Sequence, residues 1–321
     1  MPLFLREQDV AALLTLDDAL DAVEEAFRLQ GLGRVDNRPR QRPRLEHSTL
    51  QVMSAAVPSM GFGLKAYTVA SGGVRFVVLL WDEETGDLQA VIEAGHMGQM
   101  RTGAASGVAT KYLARPDAAT VGIFGTGTQA PTQLEAVCAV RPIEHVRAYS
   151  RTPEHRQRFA VEMSERLVGV TVEAVDTLRD VVDGVDIVIT ITKAVKPLFD
   201  GDWLSPGVHL NAAGSNRARA REIDTRTVER AQLVTIDDRA QGRIEAGDLL
   251  EAEREGVLDW DQVVELGQVV AGKHAGRQEK ESITLFESLG VAIEDVAVAR
   301  RVYEKALASD MGRLLPETAL G

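Results

Sequence analysis

The sequence predicts an α/β protein: a doubly wound parallel sheet with helices on both faces, preceded by a second domain of meandering strands. Three observations predict it. Residues Thr120-Val-Gly-Ile-Phe-Gly-Thr-Gly-Thr-Gln-Ala130 run from an apolar strand into Gly-x-Gly-x-x-Ala, the pattern of a strand-to-helix turn prepared to hold a pyrophosphate. Beyond it, helical patterns alternate with short, nearly all-apolar strands, as expected where helices cover both faces of a sheet. Before it, strand-like segments follow one another through turns, which is not a βαβ pattern.

In chain order, Asp17 to Phe27 reads as an amphipathic helix with Leu20, Val23, Ala26 and Phe27 on one face. The basic stretch Arg38-Pro-Arg40-Gln-Arg42-Pro-Arg44 follows. Strands are predicted around Leu50 to Ala56, Gly63 to Thr68 and Arg75 to Trp81, then, after the turn Asp82 to Gly86, from Leu88 to Ile92. Residues 97–114 read as one helix leading into the nucleotide domain, which places Arg101 and Thr102 near an interdomain cleft. In the fingerprint, Gly125 permits the tight turn, Gly127 keeps a Cβ away from the phosphates, and Ala130 holds the helix close to the sheet. The pattern alone is not specific, because a strand–turn–helix needs glycine anyway. Its context is a helix over 131–140, a strand from Glu144 to Ser150, a helix over 153–166 and a strand from Val170 to Val175. The strands Asp186 to Thr192, Val208 to Ala213 and Ala231 to Ile236 complete the sheet. Ile283 to Gly290 and a helix from about Val291 to Ala308 close the chain, the helix returning to the N-terminal domain.

Where the second strand ends, about 20 residues past the glycines, an acid suits the ribose 2′-hydroxyl of NAD and an arginine the 2′-phosphate of NADP. Here the strand ends Tyr149-Ser150-Arg151-Thr152, with no acid at its tip. This favours NADP(H) over NAD(H), since Arg151 and two hydroxyls can bind a dianion through charge-assisted hydrogen bonds. The alternative for Arg151 is an ordinary solvated loop residue.

The 321 residues suffice for two domains. A net charge of −12 disfavours nucleic acid and acidic membrane surfaces as partners. One cysteine, Cys138, excludes an internal disulfide framework. The six histidines are scattered, so no metal site is expected. The N-terminus is too short and too charged for a signal peptide, and no apolar run reaches membrane length. A cytoplasmic protein is expected.

Four separated blocks resemble the ornithine cyclodeaminase/μ-crystallin family: Gln99 to Asp117, the Gly125-Thr-Gly-Thr-Gln129 turn, Leu210-Asn-Ala-Ala-Gly-Ser-Asn216, and Thr284 to Asp295. The resemblance covers nearly the whole chain. It implies a homodimer of two-domain subunits: an α+β substrate-binding and dimerisation domain, residues 1–116 completed by a C-terminal helix over about 296–321, and a Rossmann domain, residues 117–295. It also implies hydride transfer at the α-carbon of an amino or imino acid, with the cofactor carrying the chemistry and the protein orienting the reacting carbon.

By position, the resemblance assigns Arg40, Lys65 and Arg101 to the substrate. Two guanidinium groups fix a carboxylate bidentately, and a buried Lys65 beside arginines can supply a proton. A small alignment shift would put Arg42 or Arg44 in the place of Arg40. For the cofactor, the resemblance implies Gly125, Gly127, Thr128 and Gln129 at the pyrophosphate and Ser150, Arg151 and Thr152 at the adenosine ribose. It adds Arg101, Thr102, Thr192, Asn211, Ala213, Gly214 and, across the cleft, Ser288. The hydroxyls of Thr192 and Ser288 could equally cap a strand or helix end.

Departures from the family pattern point to a subfamily. Cyclodeaminases carry an Asp at the position of Asn216 and a Glu for the distal amine at that of Gln51, and their loop is longer than Ser71-Gly-Gly-Val74. An amide does not titrate as a base, and a distal ammonium without a charged partner is unfavourable in a closed site. The reading is an NAD(P)H-dependent reductase of linear or cyclic α-imino acids, or an L-amino acid dehydrogenase, with Lys65 and Asn216 as catalytic residues. The alternatives are an ornithine or lysine cyclodeaminase using bound NAD, and a non-catalytic protein that binds NADP(H) or a small ligand.

Overall fold

The computed structural model describes residues 1–316 and divides into two compact units, Met1–Arg101 with the chain from Val291 onward, and Thr102–Gly290. In the first unit, β1 (Leu3–Leu5), α1 (Glu7–Leu13) and α2 (Leu16–Gly31) precede the strands β2 (Asp36–Gln41), β3 (Ser48–Val57), β4 (Gly61–Ala70), β5 (Gly73–Trp81) and β6 (Leu88–Glu93). Thr15 starts α2 with a capping box, its hydroxyl accepting from the Asp18 N–H. Helix α3 (Gly95–Leu113) starts against Glu7, whose carboxylate accepts from the N–H groups of Gly95 and His96 at 2.5 and 2.9 Å, a favourable partner for the positive helix end.

The long antiparallel meander β3–β4–β5 buries alternate side chains on one face, among them Met53, Ala55, Val57, Val78 and Leu80. The helix that follows residue 291 packs there. The approach is close: a Cβ on Gly63 of β4 would lie 2.4 Å from Val296 Cγ2.

The second unit holds β7 (Thr120–Phe124), α4 (Ala130–Val140), β8 (His145–Tyr149), α5 (Pro153–Arg166), β9 (Thr171–Ala174), α6 (Leu178–Val182), β10 (Ile187–Thr190) and β11 (His209–Ala212). It continues with α7 (Thr225–Arg230), β12 (Leu233–Ile236), α8 (Arg239–Glu245), α9 (Gly247–Arg254), β13 (Val264–Glu265), α10 (Leu266–Val270) and β14 (Thr284–Glu287). The strands are parallel, in the order β13-β12-β14-β11-β10-β7-β8-β9. Both faces are covered. Along β10, Ile187 and Ile189 join one core with Leu134, Val137 and Phe159, while Val188 points into the other with Leu249 and Trp260. The strand order reverses between β7 and β10, and ligands of open α/β sheets bind in the crevice at such a point.

After β14 the chain re-enters the first unit as α11 (Ala292–Ser309) and β15 (Arg313–Leu314), the latter pairing with β1. That sheet runs β15-β1-β6-β5-β4-β3-β2.

Three features differ from the sequence reading. The units divide inside α3 and after Gly290, where the sequence reading sets the boundaries at 116/117 and 295/296, because one continuous helix, α3, belongs to both units. The closing helix runs over 292–309 and ends with Asp310 in the left-handed conformation; of the C-terminal helix placed at about 296–321, residues 317–321 lie outside the described residues. Ile283 to Gly290, not placed within the sheet, supplies β14, an inner strand between β11 and β12.

Candidate active site

At the reversal between β7 and β10 the second unit opens a cleft of about 730 Å³, lined by the Phe124–Gln129 turn, the tip of β8 from Tyr149 to Thr152, the loop after β10, and Gly214. Gly125 has φ +105°, and a Cβ there would lie 2.3 Å from the Ile191 carbonyl oxygen, so only glycine makes this turn. At Gly127 nothing lies within 4 Å of the Cβ position, which leaves the space a phosphate would take. The N-cap of α4, Gln129, makes no side-chain capping bond, a helix start suited to an anion.

The walls carry Arg151, Lys193 and Lys196 and, among the lining residues, no carboxylate. Buried Arg156 shapes the β8 tip by donating to the Ser150 carbonyl at 3.0 Å and lying over the Tyr149 ring at 5.4 Å. Arg156, His155 and the two lysines were not singled out in the sequence; their only signal is position just past a strand end.

The remaining second-unit positions sort differently. Thr192 and Gly214 line the cleft. Asn211 is wholly buried beneath it: its amide donates to Thr110 Oγ1 at 2.9 Å, and its oxygen lies 3.2 Å from His209 Nε2. Burial, with Arg277 second, lowers the His209 pKa to about 3 and keeps the ring neutral. The Ala213 N–H donates to Thr190 and the buried Ser288 N–H to Ala212, both within the sheet edge. The Thr102 carbonyl accepts from Gln133 Nε2 at 2.8 Å. Asn216 is half-buried outside the residues that line the cleft.

The first unit gathers Arg40, Lys65 and Arg101, all buried. Lys65, on the core face of β4, donates to Asp295 Oδ1 at 2.7 Å, with the Phe76 and Tyr67 rings 5.3 and 5.9 Å from its Nζ. Arg101 donates to Glu294 Oε2 at 2.6 Å and has its Nε 3.3 Å from Asp295 Oδ1. Arg40 lies at the same face, its Nε 3.2 Å from Met53 Sδ. Burial brings the Lys65 pKa down to about 8, helped by Arg101 and Arg40 and opposed by Asp295. Burial also acts against the Arg101 charge, but Asp295 and Glu294 outweigh it and hold the guanidinium protonated. Burial raises the Glu294 pKa, and Arg101 pulls it back.

Such a cluster can clamp a carboxylate and deliver a proton from an amine that titrates near neutrality. Glu294 and Asp295 close the Thr284–Asp295 block, and nothing in the sequence alone assigns them a role. Each keeps one buried oxygen without a hydrogen bond, Glu294 Oε1 and Asp295 Oδ2. Gln51 Oε1 accepts from Tyr67 Oη at 2.9 Å and from Arg42 Nε at 3.2 Å. Among the described residues no group of three or more His, Cys, Asp or Glu is placed to hold a metal, and no helix is long and apolar enough to cross a membrane.

The family model described as Ornithine cyclodeaminase/mu-crystallin family matches residues 1–310. An alanine dehydrogenase of Archaeoglobus fulgidus is 35% identical over 319 residues, 97% of each chain. The solved structure of Thermococcus litoralis Δ1-pyrroline-2-carboxylate reductase, in complex with NADH and L-proline, aligns with a TM-score of 0.93 and 36% identity over 98% of this chain and 100% of the other. An archaeal alanine dehydrogenase dimer with bound NAD aligns with a TM-score of 0.93 and 34% identity, covering 98% and 99%.

Proposed function

Given that the chain belongs to the ornithine cyclodeaminase/mu-crystallin family, we infer that it is an NAD(P)H-dependent reductase of α-imino acids, or in reverse an L-amino acid dehydrogenase. The observation that carries this reading is the cationic cleft of the second unit at an uncapped helix start, and a buried lysine whose pKa burial and two arginines bring down to about 8 in the first unit supports it. The relatives with NADH or NAD bound support the same cofactor class here.

The Gly125–Gln129 turn and the α4 N-terminus would hold the pyrophosphate. Ser150, Arg151 and Thr152, at a strand tip without an acid, favour NADP(H) over NAD(H). Bound there, the nicotinamide supplies hydride for the C=N carbon. Arg40 and Arg101 bind the substrate carboxylate and fix the α-carbon. Lys65 holds the proton that goes to the nitrogen, and Asn216 is assigned to orient that nitrogen. Arg42 beside Gln51 puts positive charge where a cyclodeaminase substrate would carry its distal ammonium, which supports a reductase over a cyclodeaminase. The subunits form a homodimer through the open face of the meander.

The test is oxidation of NADPH and NADH followed at 340 nm with pyruvate plus ammonia, pyruvate plus methylamine, Δ1-pyrroline-2-carboxylate and Δ1-piperideine-2-carboxylate. Cofactor consumption on an imine is expected, faster with NADPH. Ammonia released from ornithine with NAD and no net absorbance change would overturn the reading in favour of a cyclodeaminase. Tight nucleotide binding with no turnover would make the protein a binding module.

A further inference from the structure

Two loops that edge the cofactor cleft, at Thr192 after β10 and at Gly214 after β11, are tied to one buried carboxylate. Glu222 Oε1 accepts from the Thr192 N–H and from Thr192 Oγ1, each at 2.6 Å. Its Oε2 accepts from the Gly214 N–H at 2.7 Å and from Thr190 Oγ1 at 2.9 Å. The residue is 1% exposed, and its backbone is fixed in turn: the N–H groups of Glu222 and Ile223 donate to Asp248 Oδ1 at 2.9 and 3.0 Å. A Cβ on Gly214 would lie 2.4 Å from the Thr192 nitrogen and 2.5 Å from both Glu222 oxygens. Only a glycine lets the two loops and the carboxylate meet.

We propose that Glu222 is a positioning residue for the dinucleotide, setting the spacing of the Thr192 and Gly214 loops between which it binds. This rests on the reading of the cleft as the NAD(P)H site. A buried anion behind a site for phosphates costs electrostatic energy, so its retention needs a compensating role, and four donors, three from the two loops and one from the end of β10, supply it. Burial lifts the Glu222 pKa while the Thr192, Thr190 and Gly214 donors pull it back. A glutamine cannot replace it, because its NH₂ would face Thr192 on one side or Thr190 and Gly214 on the other, donor against donor.

The experiment is NADH and NADPH binding to the whole protein by fluorescence titration, with KM and kcat on the best imine. Glu222→Gln is expected to raise the nucleotide Kd about tenfold or more and the nucleotide KM in proportion, with a smaller change in imine KM. Leu249→Ala, a wholly buried change in α9, should lower the melting temperature yet bind nucleotide about as wild type does at 25 °C. Thr192→Val should add less weakening in the Glu222→Gln background than in wild type. Should Glu222→Gln not fold, Thr190→Val removes one donor and is expected to weaken binding severalfold. Wild-type affinity in Glu222→Gln or Thr190→Val, or equal weakening by Leu249→Ala, would overturn the proposal. Wild-type protein that binds no nicotinamide dinucleotide would instead overturn the reading of the cleft.

Discussion

Lys65 is held by opposing forces: burial and two arginines push its proton off, and Asp295 keeps it on. An ordinary lysine titrates at about 10.4, whereas this one titrates at about 8, so it is protonated below that pH and neutral above it. If Lys65 protonates the imine nitrogen, kcat/KM for reduction should fall as pH rises through about 8, and oxidation of the amino acid should rise over the same range. Asp295→Asn removes the carboxylate that raises the lysine's pKa, so the inflection should move to lower pH. Lys65→Ala should cost about 10²–10⁴ in turnover while leaving NADPH binding intact. A reduction profile flat between pH 7 and 9, or near wild-type turnover in Lys65→Ala, would remove Lys65 from the mechanism. Nothing local in the sequence joins Lys65 to Asp295, 230 residues away. The lysine was reached through family resemblance, and its carboxylate partner only through the fold.

At the scale of elements, that pairing depends on how closely α11 lies on β4. Gly63 sits two residues before Lys65, and the Cβ it lacks would meet Val296 Cγ2 at 2.4 Å, one residue past Asp295. Gly63→Ala should therefore push the helix outward and cost about 1–3 kcal/mol, the usual range for overpacking, measurable by urea denaturation. Val296→Ala should recover part of the loss in that background. Additive effects would mean that the two positions do not share the constraint. Elements with a clean apolar signal are legible: Thr120 to Phe124, the run Asp186 to Thr192 that contains β10, and the helix from Asp17. β14 falls after the predicted sheet because nothing in Thr-Leu-Phe-Glu itself marks an inner position; only its two neighbours, β11 and β12, make it one. β2 was hidden by its arginines, since Asp36–Gln41 reads as a charged loop until it pairs with β3. Glu294 and Asp295 in the first turn of α11 look like ordinary helix-start acids; only the fold reveals that they face buried cations.

At the scale of the whole molecule, the proposed dimer is tested on the face of the meander opposite α11. The register places Ala56, Phe62 and Trp81 in one row, Ser54, Leu64 and Leu79 in the next, and Val52, Ala66 and Val77 in a third. Phe62 is 48% exposed on this face, and Leu50, in the row with Thr68 and Arg75 at the strand ends, is exposed as well. A contiguous apolar patch of this kind marks an association surface, and one face of an antiparallel sheet can serve as a self-complementary interface. The net charge of −12 per chain opposes association, but at 0.15 M salt the Debye length is about 8 Å, so the repulsion is screened while the apolar gain persists. The protein is therefore expected to run as a dimer in light scattering coupled to size exclusion, and to stay dimeric as salt is raised. Phe62→Glu combined with Leu50→Glu should give monomers with wild-type circular dichroism, because both side chains are exposed on this face and neither belongs to the buried core. A wild-type monomer at micromolar concentration, or a dimer that dissociates with rising salt, would show that this face is not what joins the subunits.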